Sequence, residues 1–423
     1  MNRTRKLVGA LALTTALTLT AACGSSPGGS GVSDAKNVKL RMTVWTSNQD
    51  QLKLFDSIAD AYRAKHPEVS SITFESLPFE DYNTTLTTQI AGGNAPDLAW
   101  MGDLSRDLMA SDALVGLTDK LKATPGWQYD DLEASATKEF SRDGTLYAYP
   151  FSTSPFALYV NTDLLAKAGQ RIDPKNLTWD QVAAAGAAVH ADTGKAGFVV
   201  RDFDYKSWNM LATVWTGFGA SAWSEDGKTC TFTSPQMQKA FTFLHDAVFK
   251  TQAMPGPGTT ADFFAGDAAF TVAQVSRASL LTDTFTYALH PLPTGPAGEY
   301  SVIGQAGVGV LAAGKHQAQA AYFLAYLTNP ANSEKLARFF PPPRKSMLTG
   351  EKLAADNKDL TATQLQEAVV DQLPNAVTLP NHTNPAEIAQ KGKTALDAMW
   401  KADADIPAVL KSVCSAIQPI LAK

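Results

Sequence analysis

The sequence predicts an α/β protein built on parallel strands, and three observations carry that expectation. Apolar, β-branched segments alternate with amphipathic ones in a βαβαβ order where the folded body begins. At 423 residues the chain has room for two domains or one large α/β body. A hydrophobic content of 45% is enough to build an extensive core, which excludes a disordered chain.

The first strand is "VKLRMTVWT". In "DQLKLFDSIADAYRAKHP", Leu52, Phe55, Ile58, Ala59 and Tyr62 recur every three or four residues, one face of a helix that Pro67 stops. "SSITFESLP" is a second strand, "DYNTTLTTQIAGG" a helix with a glycine exit, and "APDLAWMGD" a third strand ending at Asp103. "LYAYPFSTSPFALYVNTDLLAKAG" reads as two extended pieces parted by polar and proline residues, then a short helix. Thr178 and Gln181 have capping-box spacing before an apolar helix. Ser234 caps another, with Pro235 in its first turn. "ADFFAGDAAFTVAQ" is a helix, a glycine turn and a strand, and "YSVIGQAGVGVLAAG" is a strand punctuated by glycines. A helix pair parted by Asn329-Pro330 follows, then the break "PPPRKS". The remainder is mostly helical, with a polar loop around Pro374 to Pro385.

The chain opens with Arg3, Arg5 and Lys6, a thirteen-residue apolar stretch from Leu7 to Leu19, and the small residues Ala21 and Ala22. This is the order of a secretory signal at residues 1–22. As a helix the stretch rises only about 20 Å, short of the ~30 Å hydrocarbon core. Small residues followed by Cys23 resemble the lipobox of bacterial lipoproteins, which implies a lipid on Cys23; simple cleavage after Ala22 is the alternative. Residues 23–37, rich in Gly and Ser, read as a flexible tether. Cys230 and Cys414, the other two cysteines, lie 184 residues apart and are either paired or separately buried.

Without the signal's three cations, 33 basic residues stand against 41 acidic ones, a net charge of −8. That balance argues against nucleic acid and anionic lipid surfaces as partners. None of the six histidines is paired at metal-ligand spacing, and no cofactor or metal is expected. The nucleophile elbow G-x-S-x-G and the phosphate loop are both absent. "GVGVLA" fits G-x-G-x-x-A, but no βαβ unit with a ribose-binding acid follows, so a close-packed strand explains it better. These absences argue against an enzyme.

The order and spacing of "LRMTVWTSNQDQLKLFDSIADAYRAKHP", "QIAGGNAPDLAWMGD", "LYAYPFSTSPFALYVNTDLLAKAG", "FFAGDAAF", "GVGVLAAGKHQAQAAYFLAYLTNPANSEKLARF" and "PPPRKS" resemble the solute-binding lipoproteins of ABC importers. The specific resemblance is to the carbohydrate-binding family that includes maltose-binding protein, and it covers the mature chain. It implies a two-lobed periplasmic-binding-protein fold with three inter-lobe crossings, near Tyr149 to Ser154, Tyr300 to Gly304 and Phe340 to Lys345. The first lobe would comprise 38–149 and 304–340, the second 150–303 and 341–423. "QVSRASL" departs from the family, where many relatives carry Gly-x-Trp.

Ligands in open α/β sheets bind beyond the carboxyl ends of strands. By position this selects Trp45, Asn48, Asp103, Ser152, Thr153, Ser276, Gly304, Gln305 and Arg344, with Arg277 a weaker candidate. Of Trp208, Trp215 and Trp223, one is expected to face the cleft, and Trp208 is the choice. Carboxylate, guanidinium and amide groups with aromatic plates suit sugars, which present hydroxyls and apolar C–H faces. The implied protein is a monomeric, membrane-anchored receptor that does no chemistry and passes an oligosaccharide or modified sugar to ABC importer permease subunits. A glycerophosphodiester receptor and an exported glycan hydrolase are the alternatives.

Overall fold

A computed structural model describes residues 36–200, 208–256, 258–259 and 261–422. Cys23 and the signal lie outside the described residues, as does nearly all of the tether.

The opening βαβαβ expectation is met. Strand β1 (Val38–Val44) pairs in parallel with β2 (Val69–Ser76) on one side and β3 (Leu98–Met101) on the other. The helices Gln49–Arg63 and Tyr82–Ala91 connect them. Buried Asp97 fixes this corner: its carboxylate accepts from the Arg41 backbone N–H at 3.0 Å and from that of His316 at 3.0 Å. One side chain thereby joins β1, the start of β3 and the entry to the helix Gln317–Leu327.

A hairpin of β4 (Ser141–Arg142) and β5 (Thr145–Leu146) leads into β6, Ala148–Asn161, whose fourteen residues are all buried. The sequence suggested two extended pieces here; the structure has one continuous strand. Its prolines mark irregularities that a strand tolerates. Pro150 pairs with Gly307 and Ser152 with Ala306, so Phe151 is bulged out beside the proline. Pro155 is the last residue facing β10, and from Phe156 onward the strand faces β8.

The remaining strands are β7 (Ala196–Val200), β8 (Ala268–Gln274), β9 (Tyr287–His290), β10 (Ser301–Val310) and β11 (Ala376–Thr378). Their order with the first three is β2-β1-β3-β10-β6-β8-β7, with β11 against β10 and β9 against β6. β6 and β10 run antiparallel and belong to both halves of this array, which makes them the first two crossings. At the expected third crossing, Pro343 and Ser346 are bonded to Glu133 and Asp131, and Ala337 and Leu353 on either side belong to the core around Phe156–Val160.

Local signals place the other helices as expected. The Thr178–Gln181 capping box is complete at the start of Trp179–Thr193. Ser234 caps Pro235–Phe249, and Asn329 caps Pro330–Leu336. In the second lobe the helices Trp179–Thr193 and Pro235–Phe249 pack with Phe156–Val160, Phe198, Phe263, Phe270, Val413 and Ile417 into one core. The Cys230–Cys414 alternative is settled by a disulfide with Cα atoms 5.4 Å apart. It staples the loop after Trp223 to the helix Ile406–Leu421, whose Gln418 also accepts from the Cys230 N–H at 2.8 Å.

A bridge closing so long a loop restricts the unfolded chain strongly. Replacing Cys414 by Ser is expected to destabilise the folded chain by about 2–5 kcal/mol, seen as a lower urea midpoint. An unchanged midpoint would show that the bridge carries no stability.

Candidate functional site

The sheet changes from parallel to antiparallel between β3 and β10, and the candidate site lies beyond the carboxyl ends of β1 and β3 at that switch. β3 ends at Met101 opposite Gly307, which places Asp103 just beyond the strand at the level of Gln305 and Thr153. Asp103 is half-buried in the turn before the helix Ser105–Ala110. The cap of that helix is Leu104, and no side chain bonds there.

Trp45 follows β1 and is half-buried. Its ring meets Tyr82 edge-on at 5.1 Å, Trp100 at 5.0 Å and Phe79 at 5.8 Å. Tyr82 is fixed beneath it by hydrogen bonding to the Trp100 carbonyl at 2.8 Å and the Thr43 hydroxyl at 3.0 Å. Burial pushes that phenol well above its ordinary pKa, so it stays neutral and keeps its donor. Phe79 is 47% exposed and extends the aromatic surface outward from Trp45.

On the opposite side, Ser276 stands in the turn after β8 and its N–H donates to the Ser154 hydroxyl at 2.9 Å. This bond attaches the second lobe's strand-end turn to the crossing strand. Ser152 is nearly buried on the same side of β6 as Ser154. Gly304 pairs with Ser154, and the side-chain amide of Gln274 lies directly against it. Gln274 sits inside a stretch that the sequence singled out only for its missing Gly-x-Trp.

One expectation is corrected, and three other residues are found in structural roles. Arg344 is not in the cleft: its side chain is fully buried. Nη2 donates to the Thr328 carbonyl at 2.7 Å, Nε to the Ser333 hydroxyl at 3.3 Å and Nη1 to the Gln128 carbonyl at 3.4 Å. Asp131 is 3.7 Å away, and the guanidinium lies 4.6 Å from the Trp127 ring centre. The prolines before it turn the chain back against Gln128–Glu133 instead of aiming the arginine across the lobes. Thr153 is also interior, 2% exposed, and its N–H bonds the Pro341 carbonyl at 3.0 Å. Asn48 caps the helix Gln49–Arg63, its side-chain oxygen accepting from Asp50 and Gln51. Gly304 has no side chain to offer, and what it provides is room.

The side chains of Trp208 and Gln305 lie outside the described residues. Trp215 is core, packed on Phe232 and Phe241. Trp223 is half-buried and meets His382 edge-on at 5.4 Å. Arg277 lies over the Phe264 ring at 5.3 Å.

Sequence reading missed a set of bonds between the lobes. Asp107, on the helix after β3, accepts from the Asn384 N–H at 2.8 Å, at the start of the second-lobe helix Pro385–Leu396. Glu139 accepts from the Asn381 side chain at 2.6 Å and is held by both arms of Arg106 at 2.9 Å. A carboxylate suits a helix N-terminus, where unpaired N–H groups carry partial positive charge. Separations above 240 residues left no local signal of either contact.

Comparison with known proteins gives consistent matches. The family model for bacterial extracellular solute-binding proteins matches residues 45–334. The sn-glycerol-3-phosphate-binding periplasmic protein UgpB of Escherichia coli O1:K1 is 26% identical over 318 residues, 68% of this chain and 70% of that one. An ABC substrate-binding protein from Listeria monocytogenes, solved with cycloalternan, superposes with a TM-score of 0.79 at 21% identity, covering 92% of this chain and 100% of that one. UgpB from Mycobacterium tuberculosis, solved with glycerophosphocholine, gives 0.76 at 21% identity over 93% and 99%. The chain shares the two-lobed fold of these binding proteins.

Arg344→Ala is expected to destabilise the protein by about 3–5 kcal/mol, because Asp131, the buried Thr328 carbonyl and the Gln128 carbonyl lose their partner. Urea unfolding measures it. A loss below 1 kcal/mol would contradict the structural role.

Proposed function

The chain belongs to the bacterial extracellular solute-binding protein family, and on that premise we propose that it is the lipid-anchored receptor of an ABC importer for an oligosaccharide or modified sugar. The observation that carries the sugar reading is that the half-buried Trp45 ring and Asp103 both stand beyond the carboxyl ends of adjacent parallel strands. A ring packs the apolar C–H face of a sugar, and a carboxylate accepts from two hydroxyls. Ser152 and Ser276 stand on the crossing strand and the other lobe's turn, where hydroxyls and N–H groups complete the set.

Binding works by closure. A ligand touching both lobes favours the closed arrangement only to the extent that it binds that arrangement better. The continuous strands β6 and β10 hold the lobes in register while the cleft opens and shuts. The permease subunits then read the closed form. The receptor performs no reaction on its cargo and acts as a monomer. Cys23 carries the lipid, and the residues after it span the gap to the membrane.

A second reading, a glycerophosphodiester, is favoured by the likeness to the sn-glycerol-3-phosphate-binding protein. Arg344, the expected site cation that could pair with a phosphate, is fully buried away from the site, so the sugar reading is preferred.

Thermal denaturation of the mature chain with a panel of sugars and phosphodiesters separates the two. A sugar at about 100 times its Kd should stabilise the protein by about 2.7 kcal/mol and be recovered unchanged. Stabilisation by glycerophosphocholine alone would favour the second reading, and a cargo consumed in proportion to protein would mean an enzyme. Asp103→Ala is expected to weaken the sugar about 10- to 100-fold by titration calorimetry; an affinity within twofold of the original removes Asp103 from the site. Mass spectrometry of the mature amino terminus should find a diacylated Cys23, and an unmodified terminus would rule the anchor out.

A further inference from the structure

Position 304 is a glycine for reasons of space. It lies in mid-strand, outside the positive-φ glycines, so its backbone suits any residue. A Cβ there would overlap Nε2 of Gln274, stand 2.9 Å from that residue's Cδ and crowd the Phe156 ring at 3.3 Å. Gln274 is the last residue of β8, at the end that faces the cleft, and is half-buried. Its backbone is held by the Tyr159 hydroxyl, 3.0 Å from the Gln274 carbonyl and 3.1 Å from that of Val275. Its carboxamide has no hydrogen-bond partner among the described residues, although it rests on the strand that joins the lobes.

We infer that Gln274 reads the ligand, its carboxamide seated in the notch at Gly304 between the two crossing strands, and that it selects for adjacent hydroxyls. This rests on the sugar reading of the same site. A carboxamide offers one donor and one acceptor side by side. A pair of neighbouring sugar hydroxyls can satisfy both, one accepting from Nε2 and the other donating to Oε1. A phosphate oxygen can only accept, and would leave Oε1 facing negative charge. Ser276, two residues on and bonded to Ser154, places the next polar group within the same few ångströms of chain. Gly304 is then a positioning residue, acting through Gln274.

The test is calorimetric titration of the mature chain with maltose, maltotriose and glycerophosphocholine. For a sugar that binds the unaltered protein, Gln274→Ala is expected to raise Kd at least tenfold. Gly304→Ala should fold, since a flexible side-chain end can swing away, and should weaken the same sugar by a similar factor. The double variant should lose no more than either single one, because both act through one amide. Additive losses would overturn the notch as the means of positioning. An affinity within twofold in Gln274→Ala would overturn the inference while leaving the sugar receptor standing. Binding of glycerophosphocholine alone, or of none of the three, would overturn the sugar reading and this assignment with it.

Discussion

Everything else in the molecule is arranged around the antiparallel pairing of β6 with β10, from Ile303 opposite Pro155 to Gly309 opposite Ala148. Each strand is shared. β10 also pairs with β3 in the first lobe, and β6 also pairs with β8 and β9 in the second. Slipping this register by one residue would turn every side chain of the pair to the wrong face. Because each residue of β6 is buried, that error would be costly, and the register is strongly specified. The cleft is a consequence: it opens where β3 stops and β6 and β10 continue without it.

That pairing also explains how one strand serves structure and binding together. Tyr149, Phe151 and Thr153 are buried, and Phe151 packs on Trp100 at 5.5 Å and on Phe340 at 5.0 Å. Ser154 accepts from Ser276 and pairs with Gly304, against which Gln274 lies. The aromatic cluster thereby keeps rigid the backbone from which the polar groups project. Beneath Trp45, the buried phenol of Tyr82 does the same for the first lobe.

Local features of the fold were legible in the sequence. Thr178 with Gln181 and Ser234 with Pro235 each act within four residues and each forms the cap its spacing suggests, and Asn329-Pro330 parts two helices as expected. Distant pairings were not. Arg344 is chemically suited to a ligand, and only the folded chain shows Thr328, Ser333 and Gln128 waiting for it. Pro150 and Pro155 read as breaks because nothing nearby reveals the bulge and the change of partner that admit them. Strand ends pointed to Trp45, Asp103, Ser152 and Ser276, the residues on which the proposed site is built. The same positional reading could not show that Asn48 caps a helix or that Thr153 is buried against Pro341. The closeness of Gln274 to Gly304, thirty positions away, has no local signal either.

The account stands on closure of two lobes over a solute held at the switch between β3 and β10. Spin labels at exposed Lys53 and Lys239, one on each lobe, would report it through pulsed electron resonance distances, with the native disulfide left intact. Adding the sugar that raises the melting temperature should shift the distances to a shorter and narrower distribution. A distribution unchanged at saturating sugar would contradict the account.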